Sequence, residues 1–373
     1  MGALALSLRG KRIAVCVGSG GVGKTTVAAA IALARAAEGG KVLVCTIDPA
    51  RRLANALGLA SLGNVESRVP DHAFREAGLR PAGELFAMML DVKRTWDDLV
   101  ARHAPDRARR ERIYQNRLYQ QLSGALGGSQ EFMAMEKLYE LATERDYDLV
   151  VLDTPPTAHA LDFLDAPDRI LDFLGNETAR ALLLPALSAG KLGLRVFQLG
   201  GAYVARTLAR FTGGEVLNDL SDFLQGFHGM YEGFERRAGV VRALLARPDV
   251  GFVLVSSAAP LAVDEALMFH ERLHAESMPV AGAVANRVTV PLAEPGAPLP
   301  DAARLREALG PRHAGGLAER LAATLAEHEL LAAADAREVA RLFEAVGAPG
   351  VVIPRLETDV HDLGGLHRLA ERL

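Results

Sequence analysis

Cysteine is scarce: Cys16 and Cys45 are the only two in 373 residues, and each stands inside an apolar run that reads as a buried strand. That argues against a disulfide framework or a CxxC metal site and suits a reducing cytoplasm. Long apolar runs are missing too, since no uncharged stretch approaches the roughly eighteen residues that a membrane-spanning helix needs. The opening "MGALALSL" has no basic n-region, so neither a signal peptide nor a span is expected there. Nor is there an excess of basic charge. The formal net charge is −4, and the locally basic "RHAPDRARRERIYQNR" is most simply a solvated helix face, so no nucleic-acid partner is expected. Lysine is sparse, with six in all: Lys11, Lys24, Lys41, Lys93, Lys137 and Lys191. What remains is a chain of 50% hydrophobic content with moderate charge, which implies a folded, soluble cytoplasmic protein, at most peripheral at a membrane.

Short apolar runs recur with helical stretches between them: "RIAVCV", "KVLVCTID", "YDLVVLD", "VGFVLVSS", "PVAGAVANRV" and "GVVIPRL". Runs that are apolar throughout suit a sheet covered by helices on both faces. With right-handed crossovers they predict one α/β domain over 1–373, a doubly wound and mainly parallel sheet. Two long insertions, around 60–140 and 160–248, have helical periodicity. They are expected to meet as an inserted helical subdomain, with 160–248 its main part.

The first run opens into "GSGGVGKTT", where Gly18, Ser19, Gly20, Gly21, Val22, Gly23, Lys24, Thr25 and Thr26 fit G-x-x-x-x-G-K-[ST]. Glycines let the backbone curl so that successive N–H groups face phosphate oxygens. Lys24 adds charge on the β- and γ-phosphates, and the Thr25 hydroxyl can ligate Mg²⁺. An alanine-rich helix follows, ended by Gly39 and Gly40. Asp48 and Asp153 each close a strand at its C-terminal end, where open α/β sheets bind ligands. Asp48 could orient or deprotonate an attacking water, and Asp153 fits a carboxylate that holds Mg²⁺ directly or through its waters. Helix capping and turn initiation are the structural alternatives for both. Nucleotide choice is legible separately. Guanine readers use N-K-x-D, whereas "NRVT" puts Thr289 at the acidic position, so ATP is expected over GTP.

These stretches together resemble the ArsA-like family of dimeric ATPases, which includes arsenite-pump motor subunits and tail-anchored-protein targeting factors. The match is to a bacterial-type form without the family's signature lysine. "GSGGVGKTT" resembles its phosphate loop, "TIDPARRLAN" its switch I and "DTPPTAHAL" its switch II. The resemblance implies that Asp48 is the hydrolytic aspartate, that Asn286 in "VANRV" and Pro354 in "VVIPRL" contact adenine, and that ATP and Mg²⁺ are the cofactors. It also implies a homodimer, or a heterodimer with a paralogous ATPase, acting on a hydrophobic client or a membrane protein. Motor subunit of an arsenite-type anion pump is the alternative role. Arg51, Asn55 and Ala158 depart from the family's switch residues. So does Ser19, because the family's lysine there reaches across the dimer to the other subunit's phosphates. Its charge must be dispensed with, replaced by arginine (Arg51 or Arg52), or supplied by a paralogue.

Two stretches carry other readings. "HERLH" fits H-E-x-x-H, with His270 and His274 as zinc ligands, Glu271 as general base and Glu294 a distant third ligand, which would make a zinc peptidase. His270 also falls on the apolar stripe of Val263, Ala266, Leu267 and Leu273 that this helix needs for packing. Leu217, Leu220, Phe223, Leu224, Phe227, Met230, Tyr231 and Phe234 recur at helical spacing as either subdomain core or a groove for an apolar segment.

Overall fold

The structure is a computed structural model that describes residues 2–47, 52–117, 119–120, 129–154, 231–294, 297–310 and 316–373. Among these, eight strands form one sheet: β1 (Ile13–Val17), β2 (Lys41–Thr46), β3 (Ser67–Arg68), β4 (Glu84–Met89), β5 (Leu149–Asp153), β6 (Val250–Ser257), β7 (Val280–Val288) and β8 (Gly350–Pro354). Their spatial order is β3-β4-β2-β5-β1-β6-β7-β8, and every pairing is parallel except the antiparallel β3–β4 hook. The chain runs outward from β1 to β4, returns to β5, then continues on the other side through β6, β7 and β8. The turn after β1 therefore sits at the centre of the sheet, between the ends of β5 and β6.

Described helices are α1 (Ala3–Ser7), α2 (Lys24–Ala37), α3 (Arg52–Ala56), α4 (Asp71–Glu76), α5 (Val92–His103), α6 (Arg107–Gln115), α7 (Ser129–Glu144), α8 (Tyr231–Leu245), α9 (Pro260–Ala275), α10 (Ala302–Leu309), α11 (Leu317–Val346) and α12 (Leu363–Ala370). Alternate residues of β1 explain the two layers. Ala14 and Cys16 face α1, α2 and α12, whereas Ile13, Val15 and Val17 face a second cluster built from α5, α7, α8, α9 and α11. Alanine dominates α2, and Ala28, Ala29, Ala30 and Ala32 are all buried, so this helix lies close against the strands it crosses.

All six strands expected from the sequence are present, and the sheet is doubly wound and mainly parallel. Residues 60–140 differ from the helical reading in their first part, because β3 and β4 extend the main sheet there. "ELFAMM" is rich in residues that favour helices in isolation, and pairing of all six with β2 overrides that preference. Of the later insertion, 155–230 lies outside the described residues, including most of the Leu217–Phe234 stripe. Its last helix, α8, packs on α7, where Arg237 donates to the buried Glu136 carboxylate at 2.9 Å and stacks over Tyr139. Burial raises the Glu136 carboxyl above the ordinary carboxylate range against the pull of Arg237. No described helix is long and apolar enough to cross a membrane.

Both cysteines are sealed in the sheet. Cys16 is 0% and Cys45 1% exposed, and burial drives both thiols upward, Cys45 to about 12. At pH 8 both cysteines are therefore held as thiols, the unreactive form. The native chain should resist a soluble thiol reagent, with both cysteines reacting only in denaturant. Stoichiometric labelling of the native protein at either position would contradict this packing.

Candidate nucleotide site

The loop between β1 and α2 is shaped by glycines whose side-chain space is already occupied. Gly18 has φ +154, and a Cβ there would lie 1.9 Å from the Val255 carbonyl of β6. Gly23 has φ +98 at the N-terminus of α2, and its Cβ would fall 2.3 Å from Asn286 Nδ2. Helical geometry begins at Lys24, so the first N–H groups of α2 have no partner within the helix and, with the helix dipole, favour an anion at this end.

Lys24 is 6% exposed and folds back over the loop, donating to the carbonyls of Gly18 at 2.8 Å and Ser19 at 2.9 Å. One residue on, the Thr25 hydroxyl donates to Asp153 Oδ2 at 2.7 Å, across 128 positions of sequence. Thr46, at the end of β2, donates to the same oxygen at 2.7 Å. Thr154 completes the junction by donating its hydroxyl to the Cys16 carbonyl at 2.8 Å. Ends of β1, β2 and β5 are thus tied beneath the loop. Sequence reasoning finds Thr25 and Asp153 but overlooks Thr46, whose only signal is its place at the end of an apolar strand. The hard oxygen donors of Thr25 and Asp153 fit Mg²⁺.

Asn286 and Pro354 come together with Gly23, Thr25 and Thr26 along one cleft of about 690 Å³, which Arg52, Asn55, Arg287, Arg355 and His361 also border. The Asn286 amide holds the loop: Nδ2 donates to the Val22 carbonyl at 2.7 Å, while Oδ1 accepts from the Arg287 N–H at 3.0 Å. A second cleft of about 810 Å³ lies on the other side of the loop, lined by Ser19, Gly20 and Gly21 with Ser257, Leu261, Glu265 and Asp335. The Ser19 hydroxyl is buried there with no hydrogen-bond partner. After β7 the chain is bound to α11, where Asp335 accepts from the Thr289 N–H at 2.7 Å and Glu329 from Leu292 and Ala293. Asp48, Arg51 and Ala158 lie outside the described residues. His270, Glu271 and His274 sit on α9 with Val263, Ala266 and Leu273 buried, and among the described residues no three His, Cys, Asp or Glu side chains gather to hold a metal.

A family model described as anion-transporting ATPase matches residues 11–295. The chain belongs to that family. It is 29% identical over 215 residues to "ATPase ARSA2" of Chlamydomonas reinhardtii, covering 56% of this chain and 49% of that protein. It is 30% identical over 183 residues to "ATPase GET3" of Rhodotorula glutinis, covering 49% and 46% respectively. Against "ATPase GET3A" of Arabidopsis thaliana it is 30% identical over 150 residues, covering 40% and 36%. The chain spans about half or less of the length of these relatives. The ATPase family's phosphate loop, read from sequence, is here the loop clasped by Asp153 and Asn286.

Gly21 and Gly23 offer a matched test of that clasp. Both have positive φ, but nothing lies within 4 Å of a Cβ at Gly21. Gly21→Ala should lose about 1 kcal/mol of stability from the backbone alone. Gly23→Ala should lose roughly 1–3 kcal/mol more through the clash with the Asn286 amide. Chemical denaturation should also find the Gly23→Ala penalty reduced in an Asn286→Ala background. Equal penalties for the two glycines would rule out the close approach.

Proposed function

We propose that this chain is a Mg²⁺-dependent ATP hydrolase that works as a dimeric nucleotide switch. The observation that carries the reading is the bond between Thr25 and Asp153. It joins the residue after the loop lysine to a carboxylate at the end of β5, at the centre of a parallel sheet. In this reading Thr25 and Asp153 hold Mg²⁺, and Lys24 leaves the Gly18 and Ser19 carbonyls for the β- and γ-phosphates. Gly18 to Thr26 present backbone N–H groups, and Asn286 and Pro354 flank adenine. Asp48 orients the water that attacks the γ-phosphorus. The bond to the β-phosphate oxygen breaks, ADP and inorganic phosphate leave, and the carboxylate takes the water's proton. Closing and reopening of two such chains, identical or paralogous, would regulate a hydrophobic client or a membrane partner. Action is expected in the cytoplasm, with peripheral association at a membrane.

The family's description favours one second reading, a motor subunit of an anion pump. Metalloid capture by thiolates would then have to occur elsewhere than at Cys16 and Cys45, which are buried with raised thiols. Copurification with a membrane channel rather than an apolar client would favour the pump.

Lys24→Ala should lower ATP turnover by at least about a hundredfold, because it removes the principal charge on the transferred phosphoryl group. Asp48→Asn should abolish turnover while leaving binding. Undiminished hydrolysis by Lys24→Ala would exclude this site as the ATPase centre. ATP should also bind more tightly than GTP. Thr289 has no carboxylate to accept from the guanine N1 and amine, and its own N–H is tied to Asp335 on α11. Equal affinities in calorimetry would refute that discrimination.

A further inference from the structure

Lysine is absent from the loop position of Ser19, and the structure accounts for four of the five lysines other than Lys24. Lys11 donates to the Pro248 carbonyl and Lys41 lies over Phe86 and Tyr147, both at the end of the sheet away from the loop. Lys93 pairs with Asp97 and Lys137 with Glu140. Positive charge beside the loop comes instead from arginine, and one arginine is placed there by unusual backbone geometry.

Arg287 has φ +60, one of two non-glycine residues with positive φ among those described. A bulky side chain in that region is a steric outlier, and such strain gathers at functional sites. It also interrupts the β7–β8 ladder, whose register shifts between Asn286 and Val288. A bulge of this kind re-aims a side chain. Here it turns the guanidinium towards the loop, where Nη1 donates to the Gly21 carbonyl at 3.2 Å. The side chain is exposed, and among the described residues no carboxylate forms an ion pair with it. Arg287 borders both clefts that flank the loop, and so does Arg355, whose own N–H is held by the Val288 carbonyl. A guanidinium has five donors in a planar fork suited to phosphate. A single contact to a neutral carbonyl leaves most of that capacity for an anion.

We propose that Arg287 is a nucleotide-phosphate ligand that supplies, within one chain, the charge missing at Ser19. This rests on the ATP reading above, and it replaces Arg51, Arg52 or a paralogue's lysine as the source of that charge. On binding, the guanidinium exchanges the Gly21 carbonyl for phosphate oxygens, and a charge-assisted pair takes the place of a neutral one.

The test is calorimetry on the full chain with Mg-ATP, Mg-ADP, AMP and adenosine, for wild type, Arg287→Ala and Arg287→Gly. Glycine is at ease at φ +60, so Arg287→Gly removes the guanidinium while relieving the backbone, and its melting temperature should not fall. Both variants should bind ATP and ADP at least about tenfold more weakly, AMP less so, and adenosine as wild type does. Adding Ser19→Lys to Arg287→Gly should restore ATP affinity. Unchanged ATP affinity, or equal losses for all four ligands, would overturn the proposal, the latter because it indicates base stacking or loop support. Failure of the wild type to bind ATP would instead overturn the underlying reading, and this inference with it.

Discussion

A buried carboxylate organises the centre of this molecule. Asp153 is 1% exposed, at the end of a strand whose other residues are all apolar, and removing a carboxylate from water costs several kcal/mol unless donors replace the solvent. Two of the donors are the hydroxyls of Thr25 and Thr46, which arrive from the first turn of α2 and from the end of β2. One carboxylate oxygen therefore ties the ends of β5 and β2 to the start of the helix that follows the loop, and the neighbouring Thr154 joins β1 through the Cys16 carbonyl. The alanine surface of α2 makes this possible, because a bulkier helix face would stand farther from β1 and β5.

Most of this was legible in advance, and for a physical reason. Strands buried on both faces are apolar throughout, so β1, β2, β5, β6 and β7 announce themselves, and the edge strand β8 is apolar as well although Gly350 and Val352 are exposed. The phosphate loop is a local motif, whose glycines, lysine and threonine lie within nine consecutive residues. β4 escaped because its residues carry helix preference and only pairing with β2 decides their state. Thr46 escaped because a threonine at a strand end is common; its meaning comes from Asp153, more than a hundred positions away.

Asn286 illustrates a subtler gap between sequence and structure. Resemblance to the family implies a role towards adenine, and the structure sets it on the same cleft as Pro354 and Thr26. Its amide also holds the Val22 carbonyl, and that contact requires glycine at position 23, whose Cβ would otherwise meet Nδ2. The glycine conventionally explained by the need to approach phosphate here answers equally to a side chain from β7. One amide thus lines the cleft and holds the loop at the same time.

The loop is thus held from three directions with unequal strength. Thr25 is bonded to a buried charge, and the Asn286 amide is itself buried, so breaking either contact exposes polar groups to a poor solvent at about 1–3 kcal/mol each. Arg287 reaches Gly21 from an exposed position at 3.2 Å, where water can replace the contact at little cost. Of the three anchors, this is the one that can exchange partners without disturbing the sheet. Its side chain is charged and long, and its backbone already occupies an unfavourable conformation. A loop clamped on two sides and loosely held on the third can keep its shape while a ligand recruits the third.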